Sequence, residues 1–163
     1  MSEFAIYEYE SKYKEDLIAM ILEIQQQEFE IPIAREDQPD LENISRYYQQ
    51  GNGNFWVAVH EEIVVGTIGL IDIGNQQAAL RKMFVKAAFR GSEYGVAQAL
   101  LQELFNWSAA NGLKTVYLGT TDKFKAAQRF YEKNGFDRIE KAALPTEFPV
   151  MKVDTVFYRA ASN

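Results

Sequence analysis

The chain reads as a single α/β domain, residues 1–163, built on a mixed sheet. Three observations predict it. Short β-rich runs and segments of helical spacing follow one another in the order β-α-α-β-β-β-α-β-α-β-β. A length of 163 residues, 47% hydrophobic and 25% charged, suits one globular core and excludes disordered and fibrous classes. No repeat, low-complexity segment or linker rich in Gly, Ser or Pro divides the chain.

Residues 4–9 form a short β-like run. Spacing becomes helical over 12–29, where Tyr13, Leu17, Met20, Ile21 and Ile24 share one stripe. Two prolines with Glu36 and Asp37 make 31–39 a loop, and a second helix starts near Asp40 and runs through Leu41, Ile44 and Tyr48 to Gly51. Residues 55–59 and 63–71 read as a hairpin turning through His60, Glu61 and Glu62, with a further strand at 78–85. The clearest helix is 96–111, with Leu100, Leu101, Leu104 and Phe105 at core spacing and Asn111-Gly112 at its end. A buried-looking strand spans 115–118. Thr121 and Asp122 are N-cap candidates for a helix over 124–133, closed by Asn134-Gly135. Strands at 136–139 and 152–158 complete the set. Trp56 and Trp107 read as core, and His60 as a surface residue.

Composition removes several chemistries. There is no cysteine, which excludes disulfides, thiolate-bound zinc, iron–sulfur clusters and a cysteine nucleophile, and suits a reducing cytoplasm. His60 is the single histidine, so neither HExxH nor a multi-histidine cage exists and no metal is expected. No run approaches the roughly eighteen apolar residues of a membrane helix. The N-terminus lacks the basic flank and apolar stretch of a secretory signal. Neither membrane association nor export is therefore expected. The net charge of −6 is uneven: residues 1–72 hold four cations against fifteen acids, and residues 73–163 thirteen against eight. Residues 73–92 contain no acid, yet carry Arg81, Lys82, Lys86 and Arg90. One short basic segment in an acidic protein suits a small anionic ligand, whereas a nucleic-acid backbone calls for a broad basic face. Chance clustering on a solvated surface is the plain alternative.

Chemistry concentrates in two motifs. The first is a strand ending Met83-Phe84-Val85, a loop from Lys86 through Arg90-Gly91-Ser92-Glu93-Tyr94-Gly95, and a helix opening Val96-Ala97. A helix N-terminus offers about four unpaired N–H groups and a partial positive charge, and Gly91 and Gly95 let backbone approach a ligand. Such an end binds phosphate. Neither a Gly-Lys-Ser/Thr loop nor Gly-x-Gly-x-x-Gly is present. The second motif is Ala127-Gln128-Arg129-Phe130-Tyr131-Glu132-Lys133-Asn134-Gly135-Phe136, where a lone Tyr131 reads as a buried aromatic with a satisfied hydroxyl.

Together the motifs resemble the Gcn5-related N-acetyltransferase (GNAT) superfamily. Arg-Gly-x-x-x-Gly-x-Ala followed by a Leu-Leu helix is similar to its acyl-CoA-binding motif, and Ala-x-x-Phe-Tyr-x-x-x-Gly-Phe to its second signature, with the resemblance strongest over residues 55–136. It implies a mixed, mostly antiparallel central sheet of about seven strands flanked by about four helices. It also implies that Met83, Phe84 and Val85 meet the pantetheine arm of acetyl-CoA. The pyrophosphate then lies on Arg90, Gly91, Ser92, Tyr94, Gly95, Val96 and Ala97, and Tyr131 protonates the departing thiolate. A tyrosine with an ordinary pKa near 10 holds that proton at neutral pH. Direct attack by an amine needs no protein nucleophile.

Three departures from the family pattern stand out. Ser92 occupies the usual arginine position, with Arg90 two residues early; Lys123 stands where an Asn often precedes the second motif; and Ala78, Ala79 and Leu80 supply no strand acid to act as base. Asp72, then Glu93, are the candidates for that base, with surface carboxylates as the plain reading. The implied activity is acetyl transfer to a primary amine on a small molecule or peptide, in the cytoplasm, with a homodimer as an open arrangement. A cationic acceptor is expected, because Glu28, Glu30, Glu36, Asp37, Asp40 and Glu42 outnumber Arg35 and Arg46 on the implied acceptor side. The alternative is a catalytically inactive acyl-CoA-binding sensor. A nucleotide-binding protein is the third reading, disfavoured by the missing phosphate-loop lysine.

Overall fold

In the computed structural model, which describes residues 3–91 and 94–162, the chain begins with β1 (Ala5–Glu8) and α1 (Lys14–Leu22). Two one-turn helices, α2 (Pro39–Glu42) and α3 (Ile44–Tyr47), lead into β2 (Asn54–His60), β3 (Ile63–Gly74) and β4 (Gln77–Val85). Then come α4 (Val96–Ala110), β5 (Thr115–Thr120), α5 (Lys125–Lys133), β6 (Asp137–Ile139) and β7 (Val156–Ala161). The strands form one seven-stranded sheet in the order β1-β2-β3-β4-β5-β7-β6, antiparallel except between β4 and β5. No helix among the described residues is long and apolar enough to cross a membrane.

The central strands are buried on both faces, which is why their sequences run apolar without alternation. On β2, Phe55 and Val57 pack with Leu17, Ile21, Leu41, Ile44 and Tyr48 from α1–α3, while Trp56 and Ala58 face Leu100 and Leu104 of α4. The β2–β3 and β3–β4 hairpins turn through Glu61-Glu62 and Asn75-Gln76, all four at positive φ. Positive φ at both central residues matches the twist of paired strands. Both α4 and α5 end in a glycine at positive φ, and the next amides, Leu113 and Phe136, reach back to the Ser108 and Tyr131 carbonyls. This satisfies carbonyls the helix leaves open.

The β4–β5 ladder is short. Gln77, Ala78 and Ala79 pair with Thr115, Val116 and Tyr117, and from there the two strands separate. On its other edge β4 carries an irregularity against β3 between Thr67 and Gly69, where Lys82 sits at φ 53°. A bulge of this kind bends the strand and re-aims its side chains.

Several elements differ from the sequence expectation. The helix over 12–29 is three pieces: a 3₁₀ turn at Ser11–Tyr13, α1, and a wider π-turn at Glu23–Glu28 that carries Gln25 to a buried amide pair with Gln38. The second helix breaks at Asn43, whose backbone (φ −139°) leaves the helical region. Asn favours such breaks because its side chain competes for backbone bonds. Thr121 and Asp122 do not cap α5; Thr121 Oγ1 accepts the Lys123 amide at 3.3 Å instead. Residues 152–155 are not strand, because Asp154 accepts the Met151 amide at 2.8 Å in a turn before β7. Trp107 is half-buried, its indole N–H donating to the Asn52 carbonyl at 2.7 Å. His60 is half-buried too, its ring 5.1 Å from that of Phe89.

A polar cluster fastens the helical layer to the bulge. Lys82 Nζ donates to Gln38 Oε1 at 2.7 Å and lies 3.7 Å from Asp40 Oδ2, which accepts the Tyr48 hydroxyl at 2.5 Å. Burial pulls the Lys82 ammonium from its ordinary 10.5 down to about 8, with Asp40 opposing the fall. Between those values the unfolded chain binds more protons. The stability cost of burying this group is therefore full below pH 8 and disappears toward pH 10.5.

Two predictions follow from this packing. A Cβ on Gly53 would lie 2.3 Å from the Tyr48 carbonyl oxygen and 2.6 Å from that of Leu70, backbone atoms that cannot swing aside. Gly53→Ala should cost about 2–3 kcal/mol and lower Tm by roughly 4–12 °C; an unchanged melt contradicts the packing. Asp40→Asn should cost about 3 kcal/mol at pH 7 by stranding a buried ammonium. In denaturant titrations that deficit should narrow as pH rises above 8, and a deficit constant to pH 10 contradicts the pairing.

Candidate active site

A cavity of about 430 Å³ opens where β4 and β5 part. The splayed half of β4, from Leu80 to Val85, forms one wall, and Ala127, Phe130 and Tyr131 of α5 stand opposite. The π-turn closes one end with Ile24 and Gln25, helped by Ile31 and Ile33, and the turn before β7 adds Met151, Val153 and Asp154. Because β4 beyond Ala79 has no β5 partner, its edge offers backbone N–H and C=O groups toward the gap. An extended ligand can pair with such an edge.

Seven of the residues singled out in the sequence meet here: Met83, Phe84, Val85, Arg90, Gly91, Ala97 and Tyr131 all line the cavity. Three do not. Val96 is fully buried in the main core, Tyr94 packs on Phe89 at 5.1 Å, and Gly95 (φ 71°) caps α4. Gly91 (φ 99°) also needs the left-handed region, which glycine adopts without cost. Ser92 and Glu93 lie outside the described residues. No described group accepts the amides of Val96, Ala97 and Gln98 at the start of α4.

Tyr131 is 5% exposed, its ring packed against Phe130, Phe136 and Tyr158. Its hydroxyl has no hydrogen bond among the described residues. Burial raises its pKa well above the ordinary tyrosine value, so the proton is firmly held at neutral pH.

The charges differ from expectation. Arg90 donates through Nε to the Val85 carbonyl at 2.8 Å, and its guanidinium is paired with Glu28. Glu42 is held by Arg35 and Lys14, Glu15 by Arg35, and Asp40 by Lys82 and Tyr48. Of the six acids counted toward a cationic acceptor, Glu28, Asp40 and Glu42 are thus committed to cations of the chain itself, while Asp37 accepts the Ala34 amide. Asp72 is not in the cavity; its carboxylate accepts the Asn52 and Gly74 amides at 3.0 and 2.9 Å, which corrects its place as first candidate for the base. The cavity's charged lining is Arg81, Lys82, Arg90 and a single described carboxylate, Asp154. Burial raises the Asp154 pKa, with Arg81 and Lys82 among the opposing influences. Room for that carboxylate comes from Gly119, where a Cβ would sit 2.7 Å from Asp154 Oδ2. No sequence signal marks Asp154; Arg81 and Lys82 belong to the acid-free basic segment.

Comparison with known proteins identifies the family. The sequence model described as "Acetyltransferase (GNAT) family" matches residues 18–136. A mouse protein named "Probable N-acetyltransferase family 8 member 5" is 33% identical over 120 residues, 71% of this chain and 52% of its own length. The chain thus spans about half of that curated relative. Among solved structures, an acetyltransferase of the GNAT family from Staphylococcus aureus Mu50 superposes with a TM-score of 0.95 at 43% identity, covering 99% of this chain and 100% of that one. An acetyltransferase from Streptococcus agalactiae superposes with 0.92 at 29% identity, covering 97% and 98%. With its motifs in order, its sheet of the same form and its family match over most of its length, the chain belongs to the GNAT acetyltransferase family.

Proposed function

We propose that the chain acts as one cytoplasmic acetyltransferase domain, moving an acetyl group from acetyl-CoA to a primary amine of a small molecule or peptide. The observation that carries this reading is the meeting of Tyr131 with the free edge of β4 in one cavity, whose far end adjoins the opening of α4. The residues present fit the co-substrate. Met83, Phe84 and Val85 offer backbone groups to an extended pantetheine arm, and Gly91 with the first amides of α4 offers donors to phosphate. Arg90 stands beside them, paired with Glu28.

Bound there, acetyl-CoA supplies a thioester. The neutral nitrogen of the acceptor attacks its carbonyl carbon; a C–N bond forms, the C–S bond breaks, and the electron pair leaves with sulfur. The Tyr131 hydroxyl, kept protonated by burial, hands its proton to that thiolate. The nitrogen's own proton passes to Asp154, the only carboxylate among the described cavity residues, made a better base by the burial that raises its pKa.

CoA at millimolar concentration should raise Tm. Tyr131→Phe should keep that shift while lowering kcat roughly 10²-fold; full activity in the Phe variant removes the hydroxyl from the mechanism, and absence of any CoA shift removes the co-substrate. Asp154→Asn should lower kcat by roughly 10²-fold with the CoA shift retained. Wild-type turnover in that variant assigns the proton elsewhere.

A further inference from the structure

We infer that the acceptor is an amine carrying its own carboxylate, held by the Arg81 guanidinium. This rests on the acetyltransferase reading above and names the substrate class of that site. Consecutive residues of a regular strand face opposite ways. At Lys82 the register with β3 shifts and φ turns positive, the mark of a bulge that re-aims side chains, and Arg81 and Lys82 both line the cavity. Lys82 is committed to Gln38 and Asp40. Arg81 is not: it is half-buried and makes no ion pair or hydrogen bond among the described residues.

A guanidinium withdrawn from water without a partner is costly. Its planar fork of donors matches a carboxylate through two parallel bonds. Arg81 is also on the wrong part of β4 to serve the phosphates, because it precedes Val85 by four residues, about 13 Å of extended strand. Its charge is felt instead at Asp154 and Lys82. The end of the cavity away from α4 therefore sets a guanidinium near a carboxylate, an arrangement complementary to a molecule bearing a carboxylate and an amine. A second positive charge on the acceptor would face Arg81 and Lys82 together.

The test compares acetyl transfer to free α-amino acids, their amides and diamines at low salt, with rates expressed per neutral amine. Wild-type protein should favour a free acid over its amide roughly 10- to 100-fold in kcat/KM, the range of a charge-assisted hydrogen bond. In Arg81→Gln that preference should collapse, chiefly through KM, and Arg81→Lys should restore part of it. Equal or better use of amides or diamines by the wild type overturns the inference, whether or not the variants fold. So does a preference that survives in Arg81→Gln. Transfer to amides without preference overturns the carboxylate site alone. No transfer to any amine, despite a CoA-induced thermal shift, overturns the acetyltransferase reading and this inference with it.

Discussion

Three residue pairs, Gln77–Thr115, Ala78–Val116 and Ala79–Tyr117, hold the two halves of the sheet together in parallel, and the ladder stops there. Everything that gives the molecule a site depends on that interruption. A full ladder would consume the β4 edge and leave no gap between the strands. The termination leaves one row of strand donors and acceptors open, and the helices above and below supply the walls. The bulge at Lys82 works with it, turning β4 at the point where it loses its neighbour. Its left-handed backbone is unfavourable for a lysine, and the cluster of Gln25, Gln38, Asp40 and Tyr48 holds it in place.

That cluster also links the chemistry to the fold's first layer. Gln25 lies on the π-turn, Gln38 at the start of α2, Asp40 within it, and Lys82 on β4, so one set of bonds sets how far the helices stand from the sheet. Wide turns within helices are often retained at functional sites. Here the widening aims Gln25 inward while Ile24 remains in the core and on the cavity wall. The Arg90–Glu28 pair makes a second tie between the same π-turn and the glycine loop.

Much of this was legible from residue patterns. The doubly apolar run of β2, the Leu100-Leu101-Leu104 spacing and the two Asn-Gly helix ends identify their elements because each is a local signal, carried within one or two turns. Tyr131 was reached only through the resemblance of Ala-x-x-Phe-Tyr to a family signature; its local pattern alone reads as a buried aromatic. What escaped was set by distant partners. Val153, just ahead of the true strand that starts at Val156, imitates its continuation, yet Asp154 turns the chain there by bonding Met151. Nothing in the residues around Lys82 announces a positive φ, so the bulge that brings both Arg81 and Lys82 to the cavity wall was hidden. The acidic N-terminal half looked like a field because its partners are remote: Glu28 finds Arg90 across 62 residues, and Glu15 finds Arg35 across 20.

The position of β7 bears on how activity is acquired. It pairs with β5 on one side and β6 on the other, although it follows both in the chain. Until it arrives, β6 has no described neighbour in the sheet and β5 has only its three residue pairs with β4. The cavity draws its lining from residues as distant as Ile24 and Asp154, so distant parts of the chain must meet to close it. Loops of that length are closed late, after local helices have formed. Closure of the cavity during refolding is therefore expected to lag the recovery of helical signal.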